Sequence, residues 1–267
     1  MKKQEDKSLE FVIKHYKYSK LDSNAAYHRL AMRIGIPRHS YKLWWTAAVS
    51  LLLLLSVAGI YNYLNQTTTL YANASTTTYT LADGTKVTLS PRSSLSYKNT
   101  NCRDVEITGK VYLDIFHNPN KPFTISDDSY TINDIGTKLE VDETASSTTV
   151  YVDQGIVSFA ATSDIHNALI LNQGSKAILR KSAMHPERVA TNSENTVAWA
   201  THKFKFRDTP LREVFADLSD YYNVSFVSDN YNVNLTADFR AEDINTIVNM
   251  IQKSLDVKIK YKTKQKP

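Results

Sequence analysis

One cysteine, Cys102, stands in 267 residues. A single cysteine excludes an intrachain disulfide and, without histidine partners nearby, a zinc site. The seven histidines, at positions 15, 28, 39, 117, 166, 185 and 202, never fall at metal-ligand spacing. No P-loop, HExxH, GxSxG or CxxC motif occurs. Acidic pairs such as Asp127/Asp128 and Asp142/Glu143 are adjacent in sequence, so on a strand they would point to opposite faces. They read as solvated turns rather than a general acid–base pair. The chain therefore offers no catalytic set and no cofactor- or metal-binding set, and an enzyme is not expected.

Charge is missing too. Residues 43–82 contain no Asp, Glu, Lys or Arg. The first half of that stretch, LWWTAAVSLLLLLSVAGIYNYL, is apolar enough to cross a bilayer, whose core needs about 20 mostly apolar residues in a helix. Trp44 and Trp45 stand at one end and Tyr61 and Tyr63 at the other, as an aromatic belt would. Residues 43–64 are expected to form one transmembrane helix. Ala72-Asn73-Ala74 has the form of a signal-peptidase site, but the 42 residues before the apolar run are far too long for the n-region of a cleaved signal.

Basic charge is concentrated on one side of this run. Residues 1–42 hold ten Lys and Arg against four acids, so they carry +6, while the whole chain carries +5 and the remainder is therefore −1. The positive-inside rule places the N-terminus in the cytoplasm and the larger remainder on the other side of the membrane. The basic excess thus suits topology and anionic lipid rather than nucleic acid.

The cytoplasmic piece is helical by pattern. Leu9, Val12, Ile13 and Tyr16 recur at helical spacing, as do Tyr27, Leu30, Ala31 and Ile34. Asp22 or Ser23 suits the N-cap of the second helix, and Gly35 with Pro37 ends it. Two short stripes bury little alone, so a partner protein is their expected cover.

Residues 65–78 read as a Thr/Asn/Ala linker. From 79 the apolar period becomes two. Asp83-Gly84 between alternating runs marks a hairpin. Val105, Ile107, Val111, Leu113 and Ile115 alternate along a longer strand, with Gly109 at a bulge or close approach. Short strands are expected near 123–125, 130–132, 139–141, 150–152, 156–159, 169–171 and 177–179. This is an all-β domain over 79–192, either a sandwich or a short solenoid. Over 203–263 the order becomes βαββαβ, with helical stripes at Leu211, Val214, Phe215, Leu218 and at Ile244, Ile247, Val248, Ile251, Leu255. Two helices on one face of a small sheet are expected. Trp199, in the joining segment, is expected to pack between the two regions.

These residues resemble a family. LADGTKVTLSPRSSLSY, VEITGKVYLDIFHNPNKPFTI, INDIGTKLEV, YVDQGIVSF and LNQGSKAIL, in that order, resemble the periplasmic domain of FecR-type anti-sigma regulators. FKFRDTPLREVFADLSDYYNVSF resembles the C-terminal domain of the Bacteroidetes-type members, which is similar to the secretin/TonB short N-terminal fold. FVIKHYKYSKLDSNAAYHRL is similar to the short cytoplasmic form. Two positions depart from the pattern and read as drift: Lys110 stands where an acid is usual, and Pro91 precedes the SSL run. The cytoplasmic part is about half the length of better-known members.

The resemblance implies a single-pass anti-sigma factor and signal transducer of the bacterial inner membrane, with its C-terminus in the periplasm. It would relay the state of an outer-membrane TonB-dependent transporter to an extracytoplasmic-function (ECF) sigma factor, and so control genes for iron or glycan uptake. Intramembrane proteolysis frees the cytoplasmic segment in several members, and Gly59 and Asn62 could ease unwinding for such a protease. Both inhibition of the sigma factor and a requirement for its activity occur in the family. Phe11, Val12, His15 and Tyr16 are the expected sigma-factor contacts. Val224, Phe226, Leu235 and Phe239 are the expected contacts for the transporter's signalling domain. The alternative is a membrane-anchored periplasmic module that binds glycan or protein without regulating a sigma factor.

Overall fold

The computed structural model describes residues 7, 9–10, 13–14, 22–34, 41–191 and 194–264. They fall into two units, Met1–Ile60 and Tyr61–Pro267.

In the first unit, helix α1 (Ser23–Arg33) begins where Asp22 Oδ1 accepts the Asn24 and Ala25 N–H groups, both at 3.0 Å. Its apolar residues stay outside: Tyr27, Leu30 and Ile34 are all more than 60% exposed. Helix α2 (Tyr41–Leu64) has 24 residues and no charge after Lys42, and none of its apolar window is buried. At 1.5 Å per residue it is about 36 Å long, enough for a bilayer core. Ser50 and Ser56 return their hydroxyls to Ala47 O and Leu52 O, both at 2.8 Å, so neither donor is left open on the helix surface.

In the second unit, the Thr-rich segment expected to be a linker is ordered instead. It holds β1 (Thr67–Tyr71) and the start of β2 (Thr77–Thr80). β1 pairs with β4 (Ser94–Lys98), and Thr69 Oγ1 meets Ser96 Oγ at 2.9 Å. A run of threonines lacks apolar alternation, yet it satisfies a sheet edge through its β-branched shape and hydroxyls.

Asp83 and Gly84 (φ +91°) turn β2 into β3 (Lys86–Leu89). The organising strand is β5 (Asn101–Asp114), of 14 residues. Its first half pairs with β4 and, in parallel, with β6 (Phe123–Ser126); its second half pairs with β3 and β8 (Lys138–Glu143). The change falls at Gly109, φ +81°, where a Cβ would lie 2.6 Å from Ser93 Oγ.

Two sheets therefore share β5. One runs β1-β4-β5-β6-β7-β10-β11, adding β7 (Tyr130–Asp134), β10 (Ile156–Ala161) and β11 (Leu169–Asn172). The other runs β2-β3-β5-β8-β9-β12-β13, adding β9 (Ser147–Gln154), β12 (Lys176–Arg180) and β13 (Glu187–Val189). Leu95, Ile125, Ile132 and Phe159 from the first sheet and Val87, Leu113, Val141 and Val150 from the second, all fully buried, form one core. Two mostly antiparallel sheets closed on a shared core are the pairing of a sandwich; a solenoid would stack successive coils in parallel. Inside the sandwich Arg103, 2% exposed, pairs with Asp83 at 2.5 Å and donates to Lys121 O and Phe116 O, tying the first hairpin to the 116–121 loop.

After the short helix α3 (Ala198–Thr201) come β14 (Lys203–Pro210), α4 (Leu211–Tyr222), β15 (Val224–Ser228), β16 (Asn234–Arg240), α5 (Ile244–Leu255) and β17 (Ile259–Thr263). The βαββαβ order is as expected, but one sheet is not. Among the described residues β14 pairs only with β16 and β15 only with β17, making two antiparallel ribbons. Helix α4 packs on strands of both ribbons, so the helices do not lie on one face of one sheet. Each ribbon brings its own aromatic layer, Phe204, Phe206 and Phe239 on one and Phe226 and Tyr261 on the other. Helix α4 starts at Pro210 with no side-chain cap, although Asp208 and Thr209 are suitable types. A bulge at 207–208, with Asp208 at φ +49°, directs them to the strand: Thr209 Oγ1 accepts Arg207 N–H and Asp208 Oδ1 accepts from Asn234.

Candidate interaction surfaces

The outer face of the second sheet carries a cross-strand row that ordinary alternation would leave in water. Thr88, Tyr112, Glu140, Tyr151 and Lys176 are successive partners across five strands. Tyr112, Glu140 and Tyr151 are nevertheless buried, because the segment joining the two regions lies on them. Val197 and Trp199 pack there. Trp199 Nε1–H donates to Glu140 Oε2 at 2.5 Å, Lys110 Nζ lies 3.2 Å from the same oxygen, and Lys110 sits 5.3 Å from the centre of the Trp199 ring. Burial raises the Glu140 carboxyl above its usual range, and the Lys110 charge and the indole bond pull it back. Asn195 continues the joint, donating to Asp217 Oδ2 at 2.8 Å and accepting Lys205 N–H at 2.7 Å. Trp199 thus packs on the sandwich side of the joint, while Asn195 and Ala198 reach the C-terminal region.

Lys110 was legible only as a departure from pattern. Its partner Glu140 is 30 residues away on the neighbouring strand β8, and the sequence offered Glu140 only as a polar position between Leu139 and Val141. The Lys110–Glu140 pair keeps a cation beside the indole and a carboxylate on its N–H.

Of the residues expected to meet partners, Phe11, Val12, His15 and Tyr16 lie outside the described residues. Their stripe-mates Leu9 and Ile13 are 63% and 69% exposed. Val224 and Leu235, 5% and 2% exposed, belong to the C-terminal core and have almost no surface to offer a partner. Phe226 is half-buried, stacked on Phe215 with centroids 5.1 Å apart; Phe239 is half-buried between Phe204 and Phe206. Alternation puts these four on the inner faces of their ribbons, so the outer faces show other side chains, Asp238 and Arg240 on one ribbon and Ser225, Val227, Lys260 and Lys262 on the other. Among the described residues no group of three or more His, Cys, Asp or Glu could hold a metal ion.

Two family models match this architecture. The one described as FecR protein covers residues 67–158, starting at the first residue of β1, and the one described as FecR, C-terminal covers 203–266. Together they span more than half of the chain. The chain belongs to the FecR family. The FecR match ends inside β10, so β11–β13 and the Trp199 segment lie between the two matched parts. Two crystal structures of a candidate anti-sigma factor from Parabacteroides distasonis are similar to this FecR chain. They are 20% and 19% identical to it, each with a TM-score of 0.46, and the matches cover 71% and 74% of this chain and 92% and 100% of theirs. No curated protein matches.

Proposed function

We propose that this FecR-family chain is a single-pass inner-membrane anti-sigma factor and signal transducer. It relays the state of an outer-membrane TonB-dependent transporter to an ECF sigma factor, and so controls transcription of iron- or glycan-uptake genes. The observation that carries the reading is the arrangement along the chain. Both family regions follow the apolar helix α2, and a +6 segment with exposed apolar helical residues precedes it. The positive-inside rule orients such a chain with residues 1–42 in the cytoplasm and the sandwich and βαββαβ regions in the periplasm.

Residues 1–42 would contact the sigma factor through Phe11, Val12, His15 and Tyr16, continued by the exposed stripe of α1. The 203–263 region would receive the transporter's signalling domain. With Val224 and Leu235 in the core, that contact falls to ribbon backbone and to the outward parts of Phe226 and Phe239. A lone helix can only shift, tilt or rotate, so release by an intramembrane protease is the more credible output step. Gly59, beside which a Cβ would meet nothing within 4 Å, marks a site of weaker helix near the outer end.

The test is capture of the ECF sigma factors of the same cell by the full chain in membranes. One sigma factor is expected to be retained, and a V12D/Y16D variant to lose it. Retention of none, or equal retention by the variant, would count against the reading.

A further inference from the structure

We infer that the free edge of β17 docks an extended acidic segment of a partner protein. The inference rests on the proposal above that the C-terminal region receives a partner, and it names the edge and the chemistry.

β17 pairs with β15 and with no other described strand. Asp229 N–H donates to Lys258 O at 3.2 Å, and Lys264 N–H to Asn223 O at 3.0 Å. Antiparallel alternation then turns the backbone groups of 258, 260, 262 and 264 toward β15, and those of Ile259, Tyr261 and Thr263 away from it. Ile259 fits this: its N–H is taken by Gln252 Oε1 of α5 at 2.7 Å. The edge therefore presents the N–H and C=O groups of Tyr261 and Thr263 and the C=O of Ile259. A groove of about 660 Å³ runs beside it, lined by Val248 and Asn249 of α5, by Tyr261, and by Val227, Lys260 and Lys262 of the ribbon's outer face.

Charge selects the occupant. Residues 253–264 hold five lysines, at 253, 258, 260, 262 and 264, and one acid, Asp256. Asp220 draws on Lys264 at 3.4 Å, and Asp229 lies at the opposite end of the ribbon. Lys260 and Lys262 share the outer face with Val227, which is 61% exposed and directly opposite Lys260. A strand added to β17 with acids on that face would pair with the lysines, and its alternate apolar side chains would enter the groove toward Val248. A second copy of this chain, edge to edge, would set lysine rows against each other, which is destabilising.

The test uses the full chain in lipid nanodiscs, with K260E/K262E and T263P variants. Thr263 is exposed and its N–H faces the edge, so proline there removes an edge donor while the β15 ladder keeps its bonds. The probes are a labelled peptide of alternating Val and Glu, its Val–Lys counterpart, and the signalling domain of the transporter. The Val–Glu peptide is expected to bind wild type, to weaken about tenfold with K260E/K262E, and to weaken as salt rises. T263P should also weaken it, and the Val–Lys peptide should not bind. The inference is overturned by equal Val–Glu binding to natively folded variants or by no binding to wild type. It is overturned equally by a self-association that T263P abolishes, which would assign the edge to a second copy. Signalling-domain binding unchanged in both variants would leave the transporter reading standing and remove the edge. Peptide binding that both variants weaken, with no domain binding, would keep the edge and remove the transporter.

Discussion

Glu143 ends β8 beside Asp127, and burial, reinforced by Asp127 and opposed by Lys181, pushes its carboxyl from 4.5 up to about 7. Tyr130, fully buried against the same carboxylates, has its hydroxyl pushed up as well, chiefly by burial. The sign of the pH dependence follows. Between about 4.5 and about 7 the folded chain holds a proton on Glu143 that the unfolded chain has released, so the contribution of this group to stability falls as pH rises through that window. The urea midpoint is expected to drop between pH 5 and pH 8, and E143Q to remove most of the drop. A midpoint that rises across the window, or a wild-type slope retained by E143Q, would contradict this assignment. None of this was legible: Asp142/Glu143 reads as a solvated turn, and only the approach of the 127–130 turn makes the second carboxyl costly. Arg103 is the same kind of case, a charged residue in a strand whose partner Asp83 comes from the hairpin before it.

At the scale of elements, the joint formed by α3 and the row on the second sheet is the part most open to perturbation. Trp199 is only partly buried, so truncating it to alanine should cost about 2 kcal/mol, less than a fully buried indole. That cost weakens the docking of the C-terminal region rather than either core. Proteolysis in the 190–203 segment is expected to quicken about 30-fold in W199A with circular dichroism unchanged. W199F should fall between, because it keeps a ring under Lys110 but leaves Glu140 without the indole donor. An unchanged cleavage rate would mean that the row and the helix are held by other contacts. The strands themselves were legible where apolar alternation is strong, as in β5–β10. They were missed where hydroxyl side chains do the pairing, in β1 and β4, and where the strand is short, in β13.

For the whole molecule, the decisive expectation is orientation. In a C102S background, Lys264→Cys should react with a membrane-impermeant maleimide in intact spheroplasts, and Lys3→Cys only after permeabilisation. The reverse pattern would place the sandwich in the cytoplasm and exclude a periplasmic partner. The +6 segment before the apolar run sets this expectation, and each added charge near the helix end should strengthen it.

Local chemistry in the chain was enough for the apolar helix, for its charge asymmetry, for most strands and both C-terminal helices, and for the resemblance to FecR. Each of these is written in neighbouring residues: hydropathy over about 20 positions, or a period of two or 3.6. Tertiary structure alone decided which strands meet. It made β5 serve two sheets across Gly109, and it split the expected small sheet into two ribbons. It took Val224 and Leu235 into the core and set Lys110 beside Glu140 and Trp199. Those outcomes depend on residues tens of positions apart competing for the same buried surface, and no local period records that competition.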